Sequence, residues 1–314
     1  MKKIFVLFAA ALMTAGVVSA QDLNQAIEAA KNGQMQFEMN NYPAAIEEFQ
    51  NALTIAEGLG EEGAEHAETC KAAICQIYMA MAKEVYNGKK FQEAVEAFKK
   101  AKEVAEGYGN LDVAAEADEL ANNSQLLVYK SAGDAAKRAK DYATAIDNYT
   151  KMLELEPANG VAAYQLGDCY YRTKKFDEAV PYLMTAKDNG QEKNALPRLA
   201  NIYVMKAKAS LKAKSYDQAL ELANQAIGFE ASSSAYETAG DATKALKNNA
   251  GAIELYEKAL EGAKPKAVNQ VKYKIATAAQ EMGDKAKAIE YYTMIAGDPN
   301  FAEFANYQIK ELSK

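Results

Sequence analysis

The sequence predicts an all-α protein made of stacked helix pairs. Two stretches within residues 126–193 read as copies of one repeat, because Gly133-Asp134 returns as Gly167-Asp168 and Ala145 returns as Ala179 after the same interval. The composition also favours helix, since the 314 residues include only 18 glycines, 6 prolines and no tryptophan. Self-similarity at a period of about 34 residues is typical of helix–turn–helix repeats that bury their apolar faces against their neighbours.

The first twenty residues predict a signal peptide. Lys2 and Lys3 precede an almost wholly apolar run over residues 4–18, and small residues stand before a cleavage site between Ala20 and Gln21. This run is shorter than the roughly 20 residues that span a bilayer. An uncleaved anchor is the alternative, and no transmembrane segment is expected in the mature chain. We therefore expect an exported protein that acts in the periplasm or at the cell surface.

Seven repeats are expected after the signal peptide, each with an alanine at the same place in its second helix. The first two steps between these alanines are longer than the third by roughly four helical turns. We interpret the excess as helices lengthened by about two turns each, because the extra residues keep the apolar period. The seven alanines are Ala45, Ala94, Ala145, Ala179, Ala219, Ala252 and Ala288.

The predicted helices begin and end at typical turn residues. Pro43 suits the first turn of a helix, where its missing N–H costs nothing, and Gly58-Leu59-Gly60 ends that helix. Long first helices are expected near residues 62–87 and 112–140. Later boundaries are predicted at Pro157, Asn189-Gly190, Lys214-Ser215-Tyr216-Asp217, Ser232-Ser233-Ser234, Lys264-Pro265 and Asp298-Pro299.

A last amphipathic helix is expected to cover the open end of the stack. A polar outer face on such a helix keeps a stack of repeats from polymerising. The chain is therefore divided into a signal peptide (1–20), two repeats with lengthened helices (21–125), five further repeats (126–302) and a capping helix (303–314). The apolar residues of the last helix are Phe301, Phe304, Ala305, Ile309 and Leu312, and its polar residues are Asn306, Gln308, Lys310 and Glu311.

The spacing and the residues resemble the tetratricopeptide repeat (TPR) over about residues 23–302. The resemblance rests on Gly or Ala in the first helix, Ala in the second, and an aromatic residue beside the turn at positions 42, 91, 142, 176 and 216. It implies a right-handed α-solenoid, a superhelix of antiparallel helix pairs with a concave groove. The chain departs from the pattern because no repeat has Trp at its fourth position, and Asn249 and Lys285 replace the turn aromatic in the last two repeats.

The resemblance also implies a binding site, because TPR grooves hold a peptide or helix of a partner against the first helices. Cationic side chains beside tyrosine on a rigid wall suit an acidic protein or peptide. Ordinary solvated helix surface is the alternative for each residue. The basic clamp of TPR co-chaperones is not reproduced, since Asp134 stands where that clamp has Asn. The candidate groove residues are Lys130, Asp134, Lys137, Arg138, Tyr164, Asp168, Tyr171, Arg172, Lys208 and Lys212.

Charge and chemistry narrow the function. Without residues 1–20 the net charge is 34 − 43 = −9, and no basic tract occurs, which argues against nucleic acid or an anionic membrane as the main partner. His66 is the only histidine and is expected on an exposed face among glutamates, so no histidine-based relay or metal cluster is predicted. No Gly-rich phosphate loop occurs. We expect no catalytic site, no metal and no cofactor.

The three cysteines are interpreted as small buried hydrophobes. Cys70 and Cys75 lie five residues apart on one predicted helix, which separates them by about 7.5 Å of rise and puts them beyond disulfide reach. Cys169 lies inside another predicted helix. A surface pairing or a metal site is the alternative.

Two functions remain open. The first is a non-enzymatic interaction scaffold of the cell envelope that grips a segment of another protein in the groove. The second is an exported protein that binds a small molecule or glycan, because some of the 19 tyrosines could stack on sugar rings.

Overall fold

The computed structural model describes residues 19–314, in which helices follow one another and no strand occurs. The prediction of a signal peptide over residues 1–20 lies outside the described residues, apart from Ser19 and Ala20 at the start of the first helix. None of the helices in residues 19–314 is long and apolar enough to cross a bilayer. The chain forms two compact units, and the division between them falls between Ser131 and Ala132.

The N-terminal unit is built from long helices that pack in sequence order. A 3₁₀ turn at Gly60–Glu62 separates the second helix from the third. Its core combines the repeat alanines with Phe49, Ile74 and Phe98, which are fully buried. The helices are α1 (Ser19–Glu38), α2 (Tyr42–Gly58), α3 (Ala64–Asn87), α4 (Phe91–Gly107) and the first part of α5 (Leu111–Arg138).

The C-terminal unit continues the pattern with shorter helices. A kinked stretch, Lys187–Gln191, joins α8 to α9 and contains Gly190 with φ of +80°. After the end of α5 the helices are α6 (Tyr142–Leu155), α7 (Gly160–Arg172), α8 (Phe176–Ala186), α9 (Glu192–Lys212), α10 (Tyr216–Phe229), α11 (Ser233–Ala245), α12 (Asn249–Glu261), α13 (Pro265–Met282), α14 (Lys285–Ile295) and α15 (Ala302–Leu312). Consecutive helices pack against each other, which confirms the predicted all-α solenoid class.

The helices pair as first and second members of seven hairpins in the described residues, from α1–α2 to α13–α14, followed by α15. All seven repeat alanines are fully buried. The aromatic residue four places later is buried in five hairpins, as Phe49, Phe98, Tyr149, Tyr256 and Tyr292. Alanine allows two helix backbones to approach closely, and the aromatic ring fills the space beside that contact.

Each first helix ends in the same hydrogen-bonded turn. In the turn after α5, Lys140 has φ of +62°, its N–H donates to the Lys137 carbonyl at 3.0 Å, and the Asp141 N–H donates to the Ala136 carbonyl at 2.9 Å. This pair of bonds is the Schellman motif, which satisfies the last carbonyls of a helix. The same pattern places Asn40, Lys89, Lys174, Lys214, Lys247 and Gly283 at positive φ.

His66 differs from the expectation of an exposed face. It is half-buried, and its Nδ1 atom is buried without a hydrogen-bond partner in the described residues. At the start of the same helix, Gly63 approaches the Ala56 carbonyl so closely that a Cβ atom would lie 1.9 Å from the oxygen. The first turn of α3 is therefore pressed against the end of α2.

The last helix packs against α13 and α14. Ala305 is buried, and Phe301, Ile309 and Leu312 are partly buried against the same cluster. Two aromatic residues remain exposed on this helix: Phe304 at 41% and Tyr307 at 60%. Asn306 and Lys310 are also exposed.

The close contact inside a hairpin predicts a position-dependent effect of Gly→Ala. At Gly240 a Cβ atom would lie 2.5 Å from Cε1 of buried Tyr256, so Gly240→Ala should lower the free energy of unfolding by roughly 1–3 kcal/mol. Gly228 in α10 has nothing within 4 Å, so Gly228→Ala should raise it by about 0.5–1 kcal/mol. Urea unfolding of both variants measures the two changes. Equal effects at the two positions would contradict the packing described here.

Candidate functional site: the cation cluster around Asp168

Asp168 lies at the centre of three cations in the C-terminal unit. The residue is only 1% exposed. Its Oδ2 atom lies 2.7 Å from Lys137 Nζ and accepts a hydrogen bond from Arg172 Nε at 2.7 Å. Its Oδ1 atom accepts from Arg198 Nε at 2.9 Å. The three cations come from α5, α7 and α9, so one buried carboxylate joins the first helices of three successive hairpins. We call these four residues the Asp168 cluster.

The electrostatics keep Asp168 ionised. Burial acts to raise the pKa of its carboxyl, but hydrogen bonds from Arg172 and Lys137 and the charges of Lys137 and Arg198 outweigh that effect and hold the pKa below its ordinary value. Three positive charges and one negative charge leave the cluster with 3 − 1 = +2. The side chain of Arg172 is 45% exposed, so part of this excess faces solvent.

A comparison of three Gly-Asp pairs explains why the cluster forms at Asp168. In the hairpin of α5 and α6, Asp134 accepts a hydrogen bond from Tyr149 Oη at 2.7 Å. In the hairpin of α11 and α12, Asp241 accepts one from Tyr256 Oη at 2.8 Å. The residue at the matching place after Asp168 is Leu183, which packs against Gly167 and has no hydroxyl. Because no tyrosine donates to Asp168, both of its oxygens bind cations, whereas Asp241 accepts from Tyr256 and also binds one cation, Lys274 of the neighbouring first helix.

The phenolic groups of the other two pairs are strongly perturbed. Burial, and then the hydrogen bond and charge of Asp134, raise the pKa of Tyr149. Burial and the charge of Asp241 raise the pKa of Tyr256 in the same way. Both tyrosines therefore remain protonated and act as hydrogen-bond donors inside their hairpins.

A pocket of about 390 Å³ opens beside the cluster. Arg138 and Lys140 are exposed there, and neither has an ion-pair partner among the described residues. Tyr171 contributes from the other side of the cluster, since the Arg198 guanidinium lies 4.9 Å from the centre of its ring. The residues that line the pocket are Asp134, Lys137, Arg138, Lys140, Tyr142 and Arg172.

A second ion cluster in the same unit has the opposite balance. Lys274 of α13 lies 2.6 Å from Glu237 and 2.7 Å from Asp241, both in α11. Burial acts to lower the pKa of Lys274, but the charge and hydrogen bonds of Asp241 and Glu237 raise it overall. One cation between two carboxylates leaves an excess of negative charge, so of these two clusters only the one around Asp168 has a positive excess.

The structure separates the candidate groove residues into groups. Lys137, Arg138, Tyr171 and Arg172 gather around Asp168. Asp168 itself was expected on the groove surface, but it lies beneath that surface and holds the cations in place. Asp134 lines the pocket while accepting from Tyr149, and half-buried Tyr164 packs beside Ala163.

The other three candidates lie elsewhere. Lys130 is half-buried and belongs to the N-terminal unit. Lys208 is exposed, its Nζ atom lies 3.5 Å from Ser234 Oγ, and Lys212 is exposed at the end of α9. Lys208 follows Arg198 by almost three helical turns, which is roughly 15 Å along a helix, so these lysines are separate from the cluster.

Sequence reasoning missed Arg198. It stands about one repeat after Asp168, in the following first helix and directly after Pro197. A step of one repeat from Asp168 would have pointed to it, but α9 is 21 residues long and the groove positions in it were placed nearer its C-terminal end.

Substitution of Asp168 should destabilise the protein in a pH-dependent manner. Asp168→Asn leaves three partly buried cations without their counter-charge, and should lower the free energy of unfolding at pH 7 by roughly 2–4 kcal/mol. Because the folded-state pKa is depressed, the carboxylate stabilises the fold above the unfolded-state pKa of about 4, and this contribution is lost as the pH falls through the folded-state value. The difference between the wild type and the variant should therefore narrow below about pH 4.

Urea unfolding from pH 3 to pH 7 measures this difference. The matched control is Asp147→Asn, because Asp147 forms an exposed ion pair with Lys151 one helical turn away and should change stability little. A similar effect at both positions would contradict the central role of Asp168.

Comparisons with known proteins place repeats of one family in the C-terminal unit. Residues 136–196 and residues 270–300 match two tetratricopeptide repeat family models. Over 127 residues the chain is 30% identical to the Hsp70-Hsp90 organizing protein of Triticum aestivum; the match covers 39% of the chain and 22% of that protein, about a fifth of its length.

Two solved structures are also similar. A crystal structure of MamA aligns with a TM-score of 0.40 at 20% identity, over 55% of this chain and 91% of that one. The structure of YrrB, described as a TPR protein with an unusual peptide-binding site, aligns with a TM-score of 0.39 at 17% identity, over 58% and 90% of the two chains. The residues that match the family models form α6 to α8 and α13 to α14 in the structure, and the chain contains tetratricopeptide repeats.

Proposed function

We propose that this protein is a non-catalytic interaction scaffold of the cell envelope, and that it binds an acidic segment of a protein partner over the Asp168 cluster. The tetratricopeptide repeat is a protein-interaction module, and the relative in Triticum aestivum is named for organizing two other proteins. The proposal adds a location, a site and a partner chemistry.

The observation that carries the proposal is the fixed excess of positive charge on the first helices α5, α7 and α9. Arginine and lysine side chains lose rotamer entropy when a partner immobilises them. Asp168 holds Lys137, Arg172 and Arg198 in place before any partner arrives, so less of that entropy remains to be lost on binding. A carboxylate from a partner would add a second counter-charge to a cluster that has an excess of +2.

The exposed residues beside the Asp168 cluster, which we call the rim, suit an extended partner better than a single ion. Arg138 and Lys140 lie beside the cluster without ion-pair partners in the described part of the chain, and the half-buried ring of Tyr142 completes the pocket wall. A segment with several acidic residues could contact the cluster and the rim together, with bidentate hydrogen bonds to arginine.

The cysteines support a non-catalytic role. Burial raises the pKa of Cys70 and of Cys169 to about 11, and it raises the pKa of Cys75 as well. All three are free and buried, so at neutral pH they are protonated thiols that a substrate does not reach.

The tyrosines favour a protein partner over a glycan. Sugar stacking needs an exposed aromatic face, but Tyr307 is the only exposed tyrosine in the described residues, and Tyr149, Tyr256 and Tyr292 are buried in their hairpins. Tyr170 stacks on Tyr182 with ring centres 5.6 Å apart, and the Tyr171 ring is covered by Arg198.

Loss of the exposed arginines should abolish partner binding. The double variant Arg138→Ala/Arg172→Ala removes one positive charge from the rim and one from the cluster, and it leaves Asp168 paired with Lys137 and Arg198. In pull-downs from envelope extracts at low salt, it should recover the partner at least tenfold less well than the wild type. Recovery by the wild type should also fall at high salt, because screening weakens ion pairs between exposed groups.

The matched control is Lys193→Ala/Lys266→Ala, which removes the same charge from exposed lysines at the opposite ends of the hairpins. If both double variants recover the partner as well as the wild type, the Asp168 cluster is not its binding site.

Export should leave a chain that begins at Gln21. Intact-mass measurement of the protein from the envelope fraction should find the mass of residues 21–314, since small residues precede that bond. Ala20→Tyr should block cleavage and leave the longer mass. Recovery of the uncleaved wild type from the cytoplasmic fraction would contradict the proposed location.

A further inference from the structure

Four lysines occupy the same strained position in successive hairpins of the C-terminal unit. Lys140, Lys174, Lys214 and Lys247 are the turn residues that follow α5, α7, α9 and α11, with φ of +62°, +62°, +61° and +67°. We call them the turn lysines. In the next hairpin the same position is Gly283, with φ of +88°, and glycine adopts this conformation without a steric penalty. The chain therefore uses lysine where the local backbone favours glycine.

No local contact explains this choice. All four turn lysines are exposed, and none has an ion pair or a cation–π contact within residues 19–314. A left-handed backbone is unfavourable for a residue with a Cβ atom. The turn needs a residue at positive φ but does not need that residue to be lysine, so the lysines are a reason to look for a function of the side chain.

Most acidic groups at the same end of the hairpins are already engaged. Asp141 and Asp284 are helix N-caps, and each accepts a backbone N–H of the following helix, from Thr144 at 3.1 Å and from Lys287 at 3.0 Å. Asp177 pairs with Lys206.

Cations outnumber the acidic groups at this end, although the N-cap carboxylates of Asp141 and Asp284 keep their negative charge. Asp217 and Glu178 are exposed, have no ion pair among the described residues and oppose the positive charge. Lys175, Lys212 and Lys285 are exposed as well and add to it. With the turn lysines included, the end as a whole carries an excess of positive charge.

The stack brings together lysines that are far apart in sequence. Each turn lysine is about one repeat away from the next, so none of the four belongs to a basic tract. In a stack of antiparallel hairpins every turn from a first to a second helix lies at one end, with neighbouring turns roughly 10 Å apart. The opposite end is mixed in charge, because exposed acids such as Glu156, Glu230 and Glu261 offset the lysines in its loops.

We propose that the turn lysines of the C-terminal unit dock this protein on the surface of an anionic lipid bilayer. Lysine is a point charge on a flexible stem and has no fixed hydrogen-bonding fork, so it suits a diffuse layer of phosphates better than one registered protein partner. A row of positive charges at one end and loops of mixed charge at the other also orient the unit above a negatively charged plane. The four turn lysines form this docking edge. The edge is separate from the proposed partner site over the Asp168 cluster and shares only Lys140 with it.

The negative net charge of the chain does not conflict with this edge. Net charge sums over the whole surface, whereas attraction to a charged plane depends on the groups within about one Debye length of it, roughly 8 Å at physiological ionic strength. The acidic groups that dominate the sum lie over both units, and the turn lysines are gathered at one end of one unit.

Vesicle co-sedimentation tests the proposal with two matched variants. The first replaces all four turn lysines with glycine, the residue found at position 283. The second, Lys187→Ser/Lys193→Ser/Lys264→Ser/Lys266→Ser, removes the same charge at the opposite end of the hairpins. Vesicles contain phosphatidylcholine alone or phosphatidylcholine with a minor share of phosphatidylglycerol. The full chain and the chain cleaved after Ala20 are both assayed, because the apolar run over residues 4–18 would bind vesicles of either composition.

The wild type should sediment with the anionic vesicles and not with the neutral ones once residues 1–20 are removed, and high salt should release it. The four-glycine variant should bind at least tenfold more weakly while its melting temperature stays equal or rises, because glycine relieves the backbone strain. The variant at the opposite end should bind within twofold of the wild type.

Three outcomes would overturn the proposal: no binding of the wild type to anionic vesicles, equal loss in both lysine variants, or a four-glycine variant that binds normally. Retention of the wild type on immobilised polyglutamate through the same lysines, without vesicle binding, would assign the edge to an acidic polypeptide instead. A variant with only Lys174, Lys214 and Lys247 replaced by glycine should recover the protein partner within twofold of the wild type, which distinguishes a failure of this proposal from a failure of the partner site.

Discussion

The close contact between the two helices of each hairpin is the constraint on which the rest of the structure depends. A single pair of helices cannot cover its own apolar face, so each hairpin is stable only against its neighbours. The contact requires a small residue on both helices, and the chain supplies it with buried alanines in every second helix and with glycine in four first helices, at Gly33, Gly133, Gly167 and Gly240. Because these contacts repeat, they place successive first helices side by side and bring their polar residues within reach of each other.

The packing of each hairpin also determines which groups its aspartate contacts. An aspartate follows the glycine in three of these helices, and its contacts differ with the residue that faces it from the second helix. Where that residue is tyrosine, as for Asp134 and Asp241, the hydroxyl donates to the carboxylate inside the hairpin. Where it is Leu183, no hydroxyl donates to Asp168, and both carboxylate oxygens bind cations, two of which come from adjacent hairpins. Asp241 also binds Lys274 of the next first helix, so the tyrosine does not exclude a cation, but the cluster that lacks the tyrosine is the one with excess positive charge.

The turns show the reverse relation, in which the backbone geometry is constant and the side chain is free to vary. The Schellman bonds need one residue at positive φ, and they form equally with Gly283 and with the turn lysines. The side chain at that position is exposed to solvent, so the fold does not choose between lysine and glycine. The residue at the turn can therefore change without disturbing the stack. A change at buried Asp168, by contrast, would leave three cations without their counter-charge.

The sequence by itself determined the class of fold and the packing residues. Ala145 and Ala179, and the aromatic residues four places later in other hairpins, follow a period that stacked helix pairs satisfy, because burial acts on each turn of helix in the same way. The cationic and tyrosine residues near the site, such as Tyr171 and Arg172, could be named from their repeat positions. Their common partner, the buried carboxylate of Asp168, could not be identified from those positions.

Only the tertiary structure decided the contacts between hairpins. Asp168 was expected on the groove surface and is buried, since its burial depends on Lys137 and Arg198, which lie about one repeat before it and one repeat after it. His66 was expected on an exposed face and is half-buried. The turn lysines look isolated in the sequence and share one end of the stack in the fold. Local patterns specify which face of a helix is apolar, whereas charge pairing depends on distances across neighbouring helices, and those distances exist only after the hairpins have packed.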